Sequence, residues 1–278
     1  MKPLDNFQSE ILDLNNAKKF LSEKQFNNFR AISDCSKVTL LREVLEKPIE
    51  NWNEVTELYF RSKWANLFNK LYSNKKICVL EIASGDADII PQTLSISNPY
   101  SYYIAANMNK ILNESLIRKT KGLKINLELI DDDATNIRNH IENGKVDIIA
   151  FQHGVNDVLQ AMLCANSNID TVNCQWLDLL PQMIELIKKE IENNTFEETL
   201  KNNFIKFVNE IAYTLKDNGI IAINHYMFDL DLRLGYPINI FENLIDIIRE
   251  WLKEDSNFEE ISFEDFNNHW WIFLKKKI

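Results

Sequence analysis

The sequence predicts an α/β fold of the doubly wound type, in which a mostly parallel sheet is covered by helices on both faces. From about residue 75 onward, short apolar runs rich in β-branched residues alternate with stretches of helical spacing, a pattern typical of parallel βαβ units. Strands are predicted over residues 77–82, 102–106, 125–130, 146–151 and 220–223, and over 258–262 and 269–274. The last two lie close enough in sequence to pair antiparallel, which completes a seven-stranded sheet.

Helical segments precede and interrupt this alternation. Residues 1 to about 72 are predicted to be all helical, with Pro48 ending one of the helices. An apolar stripe from Leu200 to Leu215 predicts another helix, closed by Asn218 and Gly219, which tolerate the left-handed conformation. The residues between the fourth strand and Leu200 are too many for a simple loop. We therefore predict a helical N-terminal cap over 1–72 and a main domain over 73–278 with a helical insert at about 155–198.

The composition narrows the classes of partner. The 278 residues carry a formal net charge of −10, which argues against nucleic acid, because proteins that bind phosphates usually present a basic face. The four cysteines show no CxxC spacing, so no metal site is expected. Neither a signal peptide nor a membrane span is predicted, so we expect a cytoplasmic protein without a membrane partner. Monomer and homodimer are both open.

The residues that end the predicted strands are the ones to examine for function, because ligands of open parallel sheets bind beyond the carboxyl ends of the strands. The first strand ends at Glu81, and Ala83, Ser84 and Gly85 form a small-residue turn behind it. Small residues let the backbone approach a ligand, and the following helix presents free N–H groups. Such a turn, taken alone, can also have a purely structural role and bind no ligand.

Taken together, the strand ends resemble those of the class I S-adenosylmethionine-dependent methyltransferases, which have a Rossmann-like fold. In that family an acidic residue ends the first strand and a GxGxG turn follows. Here Glu81 holds the acidic place, and Ala83, Gly85 and Ala87 hold the small ones. Asn107 follows the second strand, where the family uses an acid to hold the ribose hydroxyls.

The later strands extend the resemblance, which covers about residues 75–278. Asp133 and Ala134 resemble the family's acid–alanine pair that meets the adenine ring, and Gln152 and His153 follow the strand that leads into the active site. The segment 215–223 resembles the family's helix, turn and fifth strand. The closing pair of strands resembles its antiparallel sixth and seventh strands.

The resemblance implies S-adenosyl-L-methionine as the cofactor. Its contacts would come from Glu81, Ala83, Ser84, Gly85, Asn107, Met108, Asp133, Ala134 and Gln152, with Tyr59 and Arg61 closing over it from the helix before the first strand. We expect Arg61 to pair with the carboxylate of the cofactor. Its alternative is an exposed surface arginine.

His153 is the expected catalytic residue, a general base that faces the transferred methyl group. Gly154 beside it permits a turn that exposes the imidazole, and the pKa that governs the rate should lie near that of free imidazole. His225, Tyr226 and Asn156 are expected to bind the substrate. Structural alternatives stay open: His153 as a hydrogen-bonded wall residue, and core packing for His225 and Tyr226.

Two departures from the family pattern bear on cofactor binding. Ala83 and Ala87 replace glycines and add a β-carbon beside the expected methionine moiety. Asn107 replaces an acid, and an amide lacks the charge-assisted hydrogen bonds of a carboxylate. Weaker cofactor binding, a different nucleoside and loss of activity are all open.

The function predicted on these grounds is a methyltransferase that acts on an oxygen or nitrogen nucleophile of a small molecule. The sulfonium of the cofactor is already an activated methyl donor, so the protein has to align donor and acceptor and exclude water. The two helical additions could form a lid for this purpose. One alternative is another transferase that uses the cofactor for aminocarboxypropyl transfer or cyclisation. The other is a non-catalytic binding protein that retains the fold.

Overall fold

Seven strands form one mixed sheet in the computed structural model, which describes residues 13–46, 48–73, 75–165, 167, 169–255 and 257–277. The strands are β1 (Cys78–Ile82), β2 (Ser101–Ala106), β3 (Ile125–Ile130), β4 (Val146–Gln152), β5 (Leu215–Asn224), β6 (Phe258–Ile261) and β7 (Trp271–Lys276). Their order in the sheet is β3-β2-β1-β4-β5-β7-β6. Strands β1 to β5 are parallel, and β7 runs antiparallel to both β5 and β6. The predicted fold class is confirmed.

The strand order reverses between β1 and β4, which are neighbours in the sheet. Glu81 of β1 pairs with Ala105 of β2 on one side and with Ala150 of β4 on the other. The chain therefore winds outward from β1 in both directions, and a crevice opens beyond the carboxyl ends of β1 and β4. This position is where a ligand is expected.

Helices cover both faces of the sheet. They are α1 (Leu14–Phe20), α2 (Glu23–Ala31), α3 (Asp34–Glu46), α4 (Glu54–Tyr72), α5 (Ile89–Ser97), α6 (Lys110–Thr120), α7 (Val155–Cys164), α8 (Trp176–Glu192), α9 (Phe196–Ala212), α10 (Asp229–Leu234), α11 (Ile238–Phe241) and α12 (Leu244–Lys253), with a 3₁₀ helix over Ala134–Asn139. Helices α1–α6 share a core with one face of the sheet, and α7–α9 and α12 share a core with the other.

Alternation along the strands explains this two-sided core. Val79 and Ile148 point into the core beneath α4, whereas Leu80 and Ile149 point into the core beneath α7 and α9. Every residue of β4 is buried, as expected for a central strand covered on both faces. The strands therefore read as continuous apolar runs.

The helices before β1 pack directly on the sheet. Helix α4 begins at its cap Asn53, whose side chain accepts hydrogen bonds from the backbone N–H groups of Val55 and Thr56. The indole of Trp64 on α4 lies 5.2 Å from that of Trp271 on β7, centroid to centroid. At about residue 72 the chain thus changes from helices to alternating strands and helices, while the residues on both sides share one hydrophobic core. The first 12 residues of the predicted cap lie outside the described residues.

One predicted boundary is wrong. Helix α9 ends at Ala212, and Leu215 is already the first residue of β5. Asn218 does adopt the left-handed conformation, with φ at +67°, but within β5. There the register against β4 jumps from Val146–Leu215 to Ile148–Ile220. Leu215 continues the apolar spacing because it is buried against the same core, so the stripe alone does not show where the helix stops.

The predicted insert contains α7 and α8, joined by the loop that precedes Trp176. None of the helices in the described ranges is both long enough and apolar enough to cross a lipid bilayer. The same residues hold no group of three histidine, cysteine or carboxylate side chains placed around one metal position.

Candidate functional site

A cavity of about 470 Å³ lies beyond the carboxyl ends of β1, β2 and β3. It brings together six of the residues expected to bind the cofactor, namely Ala83, Gly85, Asn107, Met108, Asp133 and Ala134. Its volume is in the range of pockets that bind small molecules. Residues that follow three of the predicted strands therefore line one cavity.

The opposite wall of this cavity comes from the helical insert, which was expected to form a lid, and from α9, but its lining residues are not the ones that the sequence pointed to. Helix α7 contributes Asp157, Val158 and Ala161, and the loop and helices after it contribute Trp176 and Phe207. These side chains approach the strand ends only because α7 and α8 fold back over the sheet. Helical spacing could predict their burial, but not the cavity that they cover.

The turn after β1 places its backbone in a conformation that favours glycine. Ala83 has φ at +52° and Gly85 has φ at +56°, both in the left-handed region. The N–H of Ala83 donates to the carbonyl of Ala106 at 2.9 Å, which ties the turn to the end of β2. A glycine suits position 83 for conformational reasons, and alanine there is strained. Ala87 adopts no positive φ.

Asn107 is held by a pair of side-chain amides. Its Nδ2 donates to Oδ1 of Asn113 at 3.1 Å, and Nδ2 of Asn113 donates back to the carbonyl oxygen of Asn107 at 2.9 Å. A longer contact of 3.4 Å links the same Asn107 nitrogen to the carbonyl of Gly85. Because the amide nitrogen is engaged, the oxygen Oδ1 is the atom left to accept a hydrogen bond from a ligand.

Asp133 lines the cavity and also has a structural role. Its Oδ1 accepts from the N–H of Thr135 at 2.8 Å and so caps the 3₁₀ helix. Asp132 beside it accepts from the N–H of Asp133, and its Oδ2 lies 2.8 Å from Nε2 of His140. Its hydrogen bond with His140 lowers the pKa of the Asp132 carboxyl. Both side chains therefore present carboxylates at the end of β3.

Glu81 does not line the cavity. Its side chain is fully buried and accepts a hydrogen bond of 2.7 Å from the hydroxyl of Tyr103, while its other oxygen, Oε1, has no hydrogen-bond partner. Burial raises the pKa of this carboxyl to about 8, against the lowering effect of the Tyr103 hydrogen bond. Ser84 is also buried, and its Oγ has no partner.

Tyr59 and Arg61 lie apart from the cavity as well. Tyr59 is packed in the core beneath α4. Arg61 is buried and forms an ion pair with Glu57, and it lies 3.9 Å from a carboxylate oxygen of Asp88. It also donates to the carbonyl of Phe20. Arg61 is therefore not an exposed surface arginine, and its guanidinium already has carboxylate partners within the protein. Neither Tyr59 nor Arg61 is among the residues that line the cavity.

His153, His225 and Tyr226 meet at the ends of β4 and β5. The ring of His153 stacks on Tyr226 at 4.3 Å and on His225 at 5.2 Å, centroid to centroid. His153 itself adopts the left-handed conformation, with φ at +61°. Gly154 was expected to permit a turn, but its role is to avoid a clash. A β-carbon at this position would lie 2.7 Å from the carbonyl oxygen of Ile82. Glycine thus permits a close approach of α7 to β1.

Both histidines in this cluster are neutral at neutral pH. Burial and the neighbouring His225 lower the pKa of His153 well below its ordinary range, and burial lowers the pKa of His225 to about 4. The Nδ1 atom of His153 is buried without a hydrogen-bond partner. Nε2 of His225 bonds the carbonyl of Phe241 at 2.9 Å, which gives His225 a place in the wall. A pKa near that of free imidazole is therefore not expected for His153.

Gln152 connects this cluster to the N-terminal helices. Its Oε1 accepts from the indole nitrogen of Trp64 on α4, and its Nε2 donates to the hydroxyl of Tyr226 at 3.3 Å. The segment at Ile49 pairs with the loop after β5, since its N–H donates to the carbonyl of Met227 at 2.7 Å. The helices before β1 therefore support the loop that carries Tyr226.

The acidic and basic side chains in the described wall of the cavity are all aspartates. Asp132, Asp133 and Asp157 line it, and no lysine, arginine or histidine is among the described residues of its wall. Burial and the charge of Asp231 raise the pKa of Asp157 to about 8. Such a wall favours a ligand that carries positive charge and disfavours a phosphate or carboxylate.

No protein-family model matches this sequence, and no curated protein sequence matches it either. Solved structures do match the fold. One is named a "putative S-adenosyl-L-methionine-dependent methyltransferase" from Methanococcus maripaludis, with 15% identity over 79% of this chain and 85% of that chain and a TM-score of 0.49. A SAM-dependent methyltransferase from Aquifex aeolicus matches with 14% identity over 77% of this chain and 96% of that chain, at a TM-score of 0.43. TrmN from Thermus thermophilus matches with 14% identity over 77% of this chain and 48% of that chain, at a TM-score of 0.40.

Similarity at this level carries no argument about substrate or activity. The strand order of this chain shows its fold: seven strands with an antiparallel β7, and a cavity at the ends of β1 to β3, agree with the arrangement that the sequence resemblance implied. The fold is the Rossmann-like fold that the class I S-adenosylmethionine-dependent methyltransferases share.

The two alanines that replace family glycines should respond to glycine with opposite signs. Ala83→Gly is expected to stabilise the protein by about 0.5–1 kcal/mol, because a left-handed alanine costs about 1–2 kcal/mol and glycine adds only about 0.4–1 kcal/mol of unfolded-state entropy. Ala87→Gly, without a positive φ, should destabilise it by about 0.4–1 kcal/mol. Urea denaturation of both variants measures this, and equal losses of stability would contradict the strain at Ala83.

The buried Glu81 should make stability depend on pH. Its folded-state pKa is raised to about 8 from an ordinary value of 4.5, so the folded state holds a proton that the unfolded state has lost, and stability falls as pH rises through this window. Between pH 6.5 and 8, Glu81→Gln should reduce this decline by about 1–2 kcal/mol. Denaturation at both pH values tests it, with the exposed Glu250→Gln as a control that should leave the decline unchanged.

Proposed function

We propose that the protein binds S-adenosyl-L-methionine in the 470 Å³ cavity and methylates an oxygen or nitrogen atom of a small molecule. The observation that carries the proposal is the convergence of Ala83, Gly85, Asn107 and Asp133 on one cavity at the carboxyl ends of three adjacent strands. These are positions that the resemblance assigned to the cofactor. They are distant in sequence and meet only through the sheet.

The chemistry of the wall fits this cofactor. The amide oxygen of Asn107 is available to accept from a ribose hydroxyl, and Asp133 stands at the end of the neighbouring strand, where an exocyclic amino group of adenine could donate to it. The left-handed turn at Ala83 and Gly85 brings bare backbone to the cavity. A cavity that is lined by aspartates and, among the described residues, by no basic side chain suits a sulfonium and an ammonium group.

The protein's own contribution is alignment, exclusion of water and proton transfer. When bound, the cofactor supplies an activated methyl group. Helix α7 and Trp176 line the cavity opposite the strand ends, where they limit the access of solvent. His153 immediately precedes α7 and lies outside the described lining of the cavity, and its neutral, unpartnered Nδ1 is the group that we propose accepts a proton from the attacking nucleophile.

A small molecule is the better substrate class for this site. A phosphate backbone would have to approach Asp132 and Asp133 without a cation in the described wall, and the whole chain carries a net charge of −10. Residues of α7 and α8 line the side of the cavity opposite the strand ends, and its volume of about 470 Å³ suits a compact substrate.

Cofactor binding is the first test. S-Adenosylhomocysteine at about 100 times its dissociation constant should stabilise the folded protein by about 2.7 kcal/mol. Asp133→Asn keeps a side chain that can cap the 3₁₀ helix but removes the charge, so it should weaken binding about tenfold with little loss of stability. Asp217→Asn, at the opposite edge of the sheet, is the matched control. Titration calorimetry that shows no heat with either S-adenosylmethionine or S-adenosylhomocysteine would remove the proposal.

His153 is the second test. His153→Asn removes the imidazole but keeps a residue that tolerates a positive φ, and it should lower turnover by about 10²–10⁴-fold with unchanged cofactor affinity. In the native protein the rate should stay level as pH falls through 6.5 and decline only in more acidic solution, because the pKa of His153 is lowered.

Turnover is measured as S-adenosylhomocysteine released with a substrate found by screening small metabolites. Release of 5′-methylthioadenosine instead would indicate aminocarboxypropyl transfer. A His153→Asn variant with native turnover would show that His153 is a wall residue. The control His269→Asn, at a partly exposed histidine outside the cavity wall, should leave turnover unchanged.

A further inference from the structure

A group of polar side chains on α7 and α10 has no assigned role in the proposed function. Asp157 lines the cavity one helical turn after His153, and its Oδ1 accepts from Nδ2 of Asn156 at 3.1 Å. Asp231 lies close enough to raise the pKa of Asp157, and its own Oδ2 accepts from the N–H of Phe228 at 2.7 Å. Within the described residues neither carboxyl has an ion-pair partner, whereas nearby Asp229 pairs with Arg233 at 3.0 Å.

Two buried amides in the same place have unsatisfied atoms. Asn156 is 8% exposed and its Oδ1 has no hydrogen-bond partner, although its amide lies against the Asp157 carboxyl. Gln160, one turn further along α7, is 1% exposed and its Nε2 has none. Its Oε1 accepts from the hydroxyl of Tyr236 at 2.9 Å. A buried polar atom without a partner is costly, and a ligand removes that cost only where its chemistry matches. Oδ1 of Asn156 needs a donor such as an ammonium group, whereas Nε2 of Gln160 is itself a donor and gains nothing from one.

Aromatic rings stand beside these groups. Tyr226 stacks with His153 at 4.3 Å, and Phe228 meets both at 5.3 and 5.4 Å, edge to face. Trp52, which is 40% exposed, lies 6.1 Å from both Tyr226 and Phe228. Ring faces attract cations. Asp231, which is hydrogen-bonded to the N–H of Phe228, therefore lies beside a cluster of aromatic rings that is outside the described lining of the cavity.

We propose that Asn156, Asp157 and Asp231, of which Asp157 lines the cavity and which we call the acidic wall, bind the amino group of the substrate, so that the methyl acceptor is an amine nitrogen. A protonated amine would stabilise the ionised form of Asp157, which burial and the charge of Asp231 disfavour, and would donate to Oδ1 of Asn156. A carboxylate or phosphate in its place would disfavour that ionised form further. An alcohol would satisfy the amide without stabilising the carboxylate. The proposal rests on the function proposed above and narrows its substrate.

Methyl transfer to such a substrate balances with the groups present. The ammonium group first gives up a proton, for which the neutral imidazole of His153 is the acceptor. The amine nitrogen then forms the new N–C bond while the S–C bond of the sulfonium breaks, and the bonding pair stays on sulfur as a neutral thioether. The methylated product leaves as an ammonium ion.

The test compares amines with isosteric alcohols and acids. Benzylamine, 2-phenylethylamine and n-butylamine are each titrated beside the alcohol and the carboxylic acid of the same skeleton, with the protein saturated with S-adenosylhomocysteine. At least one amine should bind tenfold or more tightly than its alcohol. Asp157→Asn should abolish this preference and leave the affinity for S-adenosylhomocysteine unchanged. The control Asp178→Asn, in the first turn of α8 and outside the cavity wall, should change neither.

Calorimetry gives a second readout that needs no turnover. Because the pKa of Asp157 is raised to about 8, this carboxyl is largely protonated at pH 7, and a bound ammonium should expel its proton. The binding heat should therefore differ between phosphate and Tris buffers for the native protein, but not for Asp157→Asn. Alcohols or acids that bind as well as the amines, or an amine preference that survives Asp157→Asn, would overturn the proposal. If S-adenosylhomocysteine itself fails to bind, the proposed function has failed instead.

Discussion

The close approach of helix α7 to the end of strand β1 is the constraint on which the site depends. Gly154 permits it, since a β-carbon would lie 2.7 Å from the carbonyl oxygen of Ile82 and 3.0 Å from that of Ala83. To start α7 there, the chain turns sharply after β4, and His153 takes up a left-handed conformation. The same geometry places the first turn of α7, including Asp157, over the turn at Ala83. One backbone contact thus positions the turn after β1 and the first turn of α7, which line opposite sides of the cavity.

The elements that surround this contact join the N-terminal helices to the substrate side of the site. Gln152 hydrogen-bonds Trp64 of α4 and Tyr226 after β5, and the Ile49 segment pairs with the loop at Phe228. If the N-terminal helices formed a separate cap on an independently folded domain, that loop would lack this support. Here the loop is braced from two directions. The N-terminal helices therefore support the loop that carries Tyr226 and Phe228, and none of their described residues lines the cavity.

The sequence predicted the fold and one half of the site for the same reason. The strands and the residues that end them, such as Gly85, Asn107 and Asp133, follow from local periodicity, and a parallel sheet brings strand ends together whatever the loops do. Asp157 was missed because its position depends on how α7 folds back. Arg61 was expected to pair with the cofactor, but it lies four positions after Glu57 on the same helix, a spacing at which opposite charges pair with each other.

The two ends of the cavity differ in the way they treat charge, and this difference bears on the reaction. At the cofactor end, Asp132 is a stabilised carboxylate, because its hydrogen bond with His140 lowers its pKa. At the substrate end, Asp157 has a raised pKa and no cationic partner in the described residues, so it is unstable as a carboxylate until a cation arrives. A site for a neutral alcohol would have no use for such a carboxyl, since burial makes it costly and an amide would serve as well. A site for an amine gains from it, because the raised pKa makes the carboxyl charge appear only when the substrate's positive charge is present.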